Sequence, residues 1–213
     1  MRRGLVLLAG LALGTVAAMV GASTAAQTTL RFNVLLDGEP IGQHRFELRD
    51  QGPAREVVSQ ADFRVRLLLV DVYRYRHTAT ERWLGDCLEA ISARTDDNGE
   101  IEVVAARRSG DGLVVDATRT QGWHGGCVRS FAYWNPRILD GGRLLNAQTG
   151  EYLPIRVVPL GEERVPVRGR LESTRRYRLM GEGVGIDLWY VGEDWVALES
   201  RAGDGRRLRY ELL

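Results

Sequence analysis

The sequence predicts an all-β fold, built as a single strongly curved antiparallel sheet of about ten to twelve strands. Apolar and polar residues alternate with a period of two along most of the chain, as they do in half-buried strands. Gly, Asp and Asn interrupt these runs at short intervals, which is typical of tight turns. No run beyond the N-terminal segment has the period of an amphipathic helix, so little helix is expected. Because a sheet with this many strands rarely stays flat, we expect a half-barrel or an incomplete barrel.

The N-terminal segment, residues 1–26, predicts a secretory signal peptide. Arg2 and Arg3 form its basic start, an apolar run extends from Leu5 to Val20, and small residues end it at Ala26. Such segments are removed on export, so the mature protein is expected to be one β domain over residues 27–213 in the periplasm. The apolar run almost reaches the length of a membrane span, which leaves an N-terminally anchored protein as the alternative.

The first strands follow from the alternation in chain order. The segments TLRFNVLL and IGQHRFELRD flank an Asp-Gly turn signal and predict an opening hairpin. From residue 57 the odd positions are apolar until LLLVDV breaks the pattern, which indicates a bend or a bulge. The same parity resumes in the strand that ends at Trp83. A turn at Gly85-Asp86 then leads into the return strand CLEAISARTD and would place Arg82 opposite Glu89 as a cross-strand ion pair.

The second half of the chain predicts further strands around one irregular region. EIEVVAARR and GLVVDATRT predict a hairpin, and QGWHGG predicts a Gly-rich loop. Asn135 and Pro136 predict the N-cap and first residue of a single helical turn, which the two following glycines stop. EYLPIRVVPL predicts an extended segment. The last four strands are predicted over TRRYRLMG, VGIDLWYV, DWVALESR and RRLRYELL.

The composition excludes some classes of function. All 29 basic side chains are Arg, 28 acidic residues balance them, and the formal net charge is +1, so no basic field favours a nucleic acid. The sequence contains no G-x-S-x-G, no H-E-x-x-H, no phosphate-binding glycine loop and no calcium loop. No cofactor or metal is therefore expected, and no further apolar run predicts a transmembrane segment after signal cleavage.

The two cysteines, Cys87 and Cys127, predict a disulfide. A secreted protein with two cysteines more often bonds them than leaves them free. Two alternatives stay open at this point. The first is a pair of free thiols. The second is a metal or catalytic site in which His124 and His77 join the cysteines, although a single Cys–His pair is a weak zinc signal.

A ligand- or partner-binding surface is predicted at His77, Glu81, Trp83 and Trp134. The first three lie on the same face of their predicted strand as the aromatic residues before them. Trp134 belongs to an aromatic group around the Gly-rich loop. On a strand, His77 and Glu81 lie about 13 Å apart at roughly 3.3 Å per residue, which is too far for a local acid–base pair. No catalytic residue is assigned. His44, on the apolar face of its strand, is expected to be a hydrogen-bonded core or rim histidine.

Four stretches resemble an uncharacterised family of exported proteobacterial proteins, known as a domain of unknown function. They cover most of the mature chain and read FNVLLDGEPIGQHRFEL, YRYRHTATERWLGDCLEAISARTDDNG, LLNAQTGE and DLWYVGEDWVALESRAGDGRRLRYEL. The last stretch is also similar to periplasmic curved-sheet proteins, among them the LolA-like lipoprotein carriers, whose half-barrel holds acyl chains. The family implies no reaction and no catalytic residues, and the likeness to lipid carriers is one of fold only.

Three hypotheses about function follow. The leading one is a non-catalytic periplasmic protein that binds an apolar, lipid-like molecule or an envelope partner in its concave face. The alternative is a structural or assembly module of the cell envelope that uses its surface or an edge strand. The third is an enzyme that uses His77 and Glu81 together with groups from distant strands.

Overall fold

The computed structural model describes residues 26–67, 70–203 and 205–213 of the chain. The predicted signal peptide lies outside the described residues except for Ala26, so its removal stays a prediction. No helix among the described residues combines the length and the apolar character needed to cross a membrane.

Fifteen strands and one short 3-10 helix make up the described chain. The N-terminal strands are β1 (Gln27–Leu36), β2 (Glu39–Gln51), β3 (Ala54–Leu67), β4 (Val70–Leu84), β5 (Cys87–Asp97), β6 (Glu100–Ser109), β7 (Gly112–Ala117) and β8 (Gln121–Gly125). The C-terminal strands are β9 (Arg129–Ser130), β10 (Gly142–Leu145), β11 (Tyr152–Val167), β12 (Arg170–Gly181), β13 (Val184–Val191), β14 (Asp194–Arg201) and β15 (Arg207–Leu212). The 3-10 helix (Pro136–Asp140) lies between β9 and β10.

All strands belong to one curled sheet in the order β8-β7-β6-β5-β4-β3-β2-β1-β15-β14-β13-β12-β11-β10-β9. Every pair is antiparallel except β9 with β10. The predicted all-β, strongly curved antiparallel fold is confirmed. The predicted number of strands was too low, because β8, β9 and β10 have only 5, 2 and 4 residues and carry too few residues to show alternation.

The sheet consists of two meanders that meet at the ends of the chain. Strands β1–β8 form one, β9–β15 form the other, and β1 pairs with β15 between Phe32↔Leu212 and Leu36↔Leu208. The two edge strands, β8 and β9, are consecutive in the chain and only residues 126–128 separate them. That link spans at most about 14 Å, whereas fifteen flat strands at about 4.8 Å spacing would place the edges about 67 Å apart. The sheet must therefore curl until its edges approach each other.

The segment of residues 128–150, here called the crossing segment, lies across the concave face. Asn135 caps its 3-10 helix by accepting a hydrogen bond from the Arg137 amide, as the sequence predicted. On one side the Ser130 hydroxyl donates to Glu81 on β4, and on the other the Tyr190 hydroxyl on β13 donates to the Tyr133 carbonyl. The crossing segment thus contacts strands from both meanders.

The turn between β4 and β5 is present, but the predicted ion pair across it is wrong. Leu84 pairs with Cys87 as a two-residue turn at Gly85-Asp86 requires, and a bulge between Arg82 and Trp83 then shifts the register so that Arg82 faces Ala90. Glu89 instead lies 3.7 Å from Arg108 on β6. A bulge adds one residue to one strand of a pair, so every later cross-strand partner changes.

Cys87 and Cys127 are joined by a disulfide, as predicted, and neither cysteine is free. The bond ties the start of β5 to the link between the two edge strands. Beside it, the Leu88 amide donates to the Val128 carbonyl at 2.8 Å. The alternatives of free thiols or of a zinc site built on these cysteines are thereby excluded in this structure.

The disulfide leads to a prediction about stability. It closes a loop with a sequence separation of 40 residues, so the double variant Cys87→Ala/Cys127→Ala should lose roughly 4 kcal/mol of unfolding free energy on the chain-entropy model. Urea unfolding measures the loss, and Ser92→Ala, at an exposed position on β5, serves as the control. In mass spectrometry, both thiols should become alkylated only after reduction. Alkylation of both without reductant would contradict the bond.

Candidate functional site

Two histidines lie in one cross-strand row on the concave face. His44 on β2 faces Ala61 on β3, and Ala61 faces His77 on β4. The next residue in the row is Thr95 on β5. Because neighbouring strands are about 4.8 Å apart, the Cα atoms of the two histidines are about 10 Å apart. The small Ala61 between them leaves space above the middle strand.

Two hydroxyl groups hold the His44 imidazole. Nε2 lies 2.7 Å from the Ser59 hydroxyl, and Nδ1 lies 3.3 Å from the Tyr210 hydroxyl. The ring also stacks on Phe46, with 4.1 Å between the centroids. A hydroxyl group can donate or accept, so a neutral imidazole is satisfied in either tautomer. His44 is thus hydrogen-bonded, as predicted for a core or rim histidine.

His77 has one nitrogen paired and one available. Nδ1 lies 2.9 Å from the Thr95 hydroxyl. Nε2 has no hydrogen-bond partner among the described residues. It is not one of the completely buried side-chain atoms, so part of its surface stays accessible. The side chain as a whole is only 5% exposed. Nε2 is therefore a hydrogen-bonding atom that a molecule inside the sheet could reach.

Glu81 is a buried carboxylate held by two donors. The Trp83 indole N–H donates to Oε2 at 2.9 Å, and the Ser130 hydroxyl donates to Oε1 at 2.8 Å. Burial raises the pKa of Glu81, and these two hydrogen bonds oppose the rise. Glu81 thereby connects β4 to the crossing segment.

A cavity of about 420 Å3 lies beside these groups and is here called the histidine cavity. Strands β2–β4 contribute the hydrogen-bonding side chains of His44, Ser59, His77 and Glu81, the crossing segment contributes those of Ser130, Asn146 and Gln148, and β14 contributes those of Ser200 and Arg201. Its aliphatic side chains include Val184, Ile186, Leu198 and Leu208 from β13–β15 and Val57 from β3. Aromatic rings complete the lining, and they are Phe46, Tyr75, Phe131, Tyr133, Trp134 and Tyr210.

Both histidines of the cavity are uncharged at neutral pH. Burial lowers the pKa of His44 to about 3, and the nearby His77 adds to this effect. Burial alone lowers the pKa of His77 to about 4. Burial also raises the pKa values of Tyr75, Tyr133 and Tyr210. Arg201 is the only Arg among the described residues of the lining, and its guanidinium donates to the Gly205 carbonyl.

The structure brings together three of the four residues predicted for the binding surface. His77, Glu81 and Trp134 line the histidine cavity. Trp83 is fully buried beneath it, where it donates to Glu81 and packs edge-on against Trp134 at 5.3 Å. Trp123, from the same predicted aromatic group as Trp134, lies instead on the edge strand β8 and is 54% exposed.

Three residues beside the cavity, Ser59, Thr95 and Ser130, were not predicted from the sequence. Ser59 and Thr95 occupy positions that alternation assigns to the apolar face of their strands, and both are buried. A polar residue at an apolar position is the signal that would have found them. Ser130 carries no such signal, because β9 has only two residues.

No group of three His, Cys, Asp or Glu side chains is placed to hold a metal ion within the part of the chain that the structure describes. A family model described as domain of unknown function (DUF6134) matches residues 32–213, which is most of the chain. The chain belongs to this family. The resemblance to an uncharacterised all-β family is thereby confirmed.

The fold of this DUF6134 chain also occurs in a solved structure. It is similar to the crystal structure of a β-barrel-like protein of domain of unknown function DUF1849 from Brucella abortus, with a TM-score of 0.61. The two share 11% sequence identity over 87% of this chain and 94% of the other. At this identity the likeness shows the fold alone. No curated protein matches the chain.

The two buried histidines predict a dependence of stability on pH. Their pKa values are lower in the folded than in the unfolded chain, where His titrates near 6.5. Below pH 6.5 the unfolded chain binds protons that the folded chain excludes, so stability falls as the pH drops towards 4. Each histidine contributes up to about 1.4 kcal/mol per pH unit. Burial raises the pKa of Glu81. Above the usual pKa of a glutamate, Glu81 therefore makes stability rise, and not fall, as the pH drops.

The variant His77→Asn isolates one contribution. We expect its unfolding free energy, measured in urea at pH 4.5, 5.5 and 6.5, to fall less steeply on acidification than that of the wild type. His124→Asn is the control, because His124 is far less enclosed and should change the slope less. An unchanged slope in His77→Asn would show that His77 takes up its proton as readily in the folded protein as in the unfolded chain.

Proposed function

We propose that this protein is an exported, non-catalytic binding protein that holds one small, mainly apolar and lipid-like molecule in the histidine cavity. The observation that carries the proposal is the cavity itself, about 420 Å3 in volume between the two meanders. Small-molecule pockets usually measure about 300–1,000 Å3 and combine an apolar lining with a few polar groups. The aliphatic side chains of β13–β15 and the polar side chains of β2–β4 provide this combination.

The charge of the cavity favours a neutral molecule. His44 and His77 are uncharged at neutral pH because burial lowers the pKa of both. The cavity therefore offers no buried cation to pair with an anionic group, and a buried unpaired charge is costly. A ligand with a charged end would keep that end at the mouth, near Arg201, which is exposed.

His77 Nε2 supplies the specific anchor for such a ligand. It has no protein partner among the described residues, whereas His44 uses both of its nitrogens on Ser59 and Tyr210. A hydroxyl or amide group of the ligand would satisfy it. A hydrogen bond of this kind orients a ligand that apolar contact alone would hold loosely.

The enzyme hypothesis has one observation in its favour, the 2.7 Å contact between Ser59 and His44 Nε2. A serine nucleophile needs a base whose pKa lies near the working pH. Burial lowers the pKa of His44 to about 3, and its other nitrogen contacts a tyrosine hydroxyl instead of a carboxylate. These features make His44 a weak base and favour binding over catalysis.

Binding is tested with a neutral apolar dye such as N-phenyl-1-naphthylamine. We expect its fluorescence to rise on mixing with the protein and to saturate at one site per chain. Ala79→Phe should weaken binding at least tenfold. Ala79 lines the cavity between His77 and Glu81 on β4, so the larger Phe side chain would fill it. Ala105→Phe, on an exposed position of β6, is the matched control. A folded wild-type protein that leaves the dye silent would contradict the proposal.

Export is the second part of the proposal. The disulfide supports it, because disulfides persist in oxidising compartments such as the periplasm. Protein purified from the periplasmic fraction should have its N-terminus near Gln27, the first residue of β1. N-terminal sequencing measures this directly. A chain that retains residues 1–26 in the membrane fraction would support the anchored alternative instead.

A further inference from the structure

A second cavity opens at the opposite end of the strands. It has a volume of about 850 Å3, and Arg55, Arg168 and Arg170 are among its lining residues, so it is here called the arginine cavity. On β13 it includes Val191 at the end of the strand, whereas the histidine cavity includes Val184 at the start. Strands β14 and β15 likewise line one cavity near one end and the other cavity near the opposite end. The two cavities therefore lie one after the other along the inside of the sheet.

Only about one layer of side chains separates the two cavities. On β2 the histidine cavity is lined by Phe46 and the arginine cavity by Leu48. On β14 the corresponding residues are Leu198 and Val196, again two positions apart. Two residues along a strand correspond to about 7 Å. Such a distance is bridged by a single large side chain.

Trp134 lies at this boundary, since it is the only described residue that lines both cavities. Its ring packs edge-on against Trp83 at 5.3 Å, and the Arg55 guanidinium lies over the ring, 5.3 Å from its centroid. Trp134 comes from the crossing segment and not from a strand of the sheet. Its replacement leaves the ladder of the sheet untouched.

We propose that Trp134 sets the maximum length of the ligand and that the ligand is a single apolar chain with a neutral polar end. This inference rests on the proposed function of the histidine cavity. The polar end binds His77 Nε2, and the chain extends along the cavity until it meets the indole of Trp134. Without the indole, the chain would continue into the arginine cavity, whose buried lining includes Leu48, Val196 and Leu212.

A series of primary alcohols from hexanol to hexadecanol tests the inference by displacement of the bound dye. In the wild type, each added methylene should lower Kd about fourfold until the chain reaches Trp134, after which Kd stops falling. In Trp134→Ala the fall should continue through several longer alcohols. Trp134→Leu provides a second, less drastic truncation should the alanine variant unfold. Trp134→Phe, which keeps a ring, and Trp123→Ala, which removes an exposed indole elsewhere, should both retain the wild-type limit.

The possible results separate the two proposals. A length limit that moves to longer alcohols in Trp134→Ala or Trp134→Leu supports the inference. The same limit in the wild type and in both truncated variants overturns the role of Trp134 and leaves binding in the histidine cavity intact. No displacement by any alcohol from any variant, with thermal melts that show folded protein, overturns both the ligand class and the function on which it rests.

Discussion

The short link between the two edge strands is the constraint on which this structure depends. Residues 126–128 join β8 to β9, although thirteen other strands separate them in the sheet. The sheet must curl to satisfy this link, and the Cys87–Cys127 bond fixes the link to β5. Curling brings β2–β4 opposite β13–β15, which creates the space between them. It also carries the crossing segment over the concave face, where Trp134 lines both cavities.

His44, His77 and Glu81 are tolerated inside the sheet because each has a hydrogen-bond partner that carries no charge. His44 contacts two hydroxyl groups, His77 contacts Thr95, and Glu81 accepts from Trp83 and Ser130. Burying such groups without partners would cost several kcal/mol. The result is an interior that offers hydrogen bonds but little electrostatic attraction. Such an interior suits the proposed ligand, a neutral apolar molecule with one polar group.

Much of the fold could be predicted from the sequence, because alternation, turn signals and two cysteines are local or nearly local features. The residues of the candidate site were partly predictable for the same reason, since His77 and Glu81 are polar residues at apolar positions of their strand. The bulge beside Trp83 and the pairing of β1 with β15 left no local signal, because both depend on contacts between distant strands. The contact of His44 with Tyr210 depends on that pairing, so no reading of either segment alone could supply it.

The position of the first and last strands has a consequence for how the protein forms. β1 and β15 pair near the middle of the sheet, so the two meanders cannot pair with each other until β15 is available. Contacts between residues so far apart in sequence form slowly, because the entropy of closing a long loop is lost before the contact is gained. The seam between β1 and β15 is therefore expected to form late, after the hairpins within each meander.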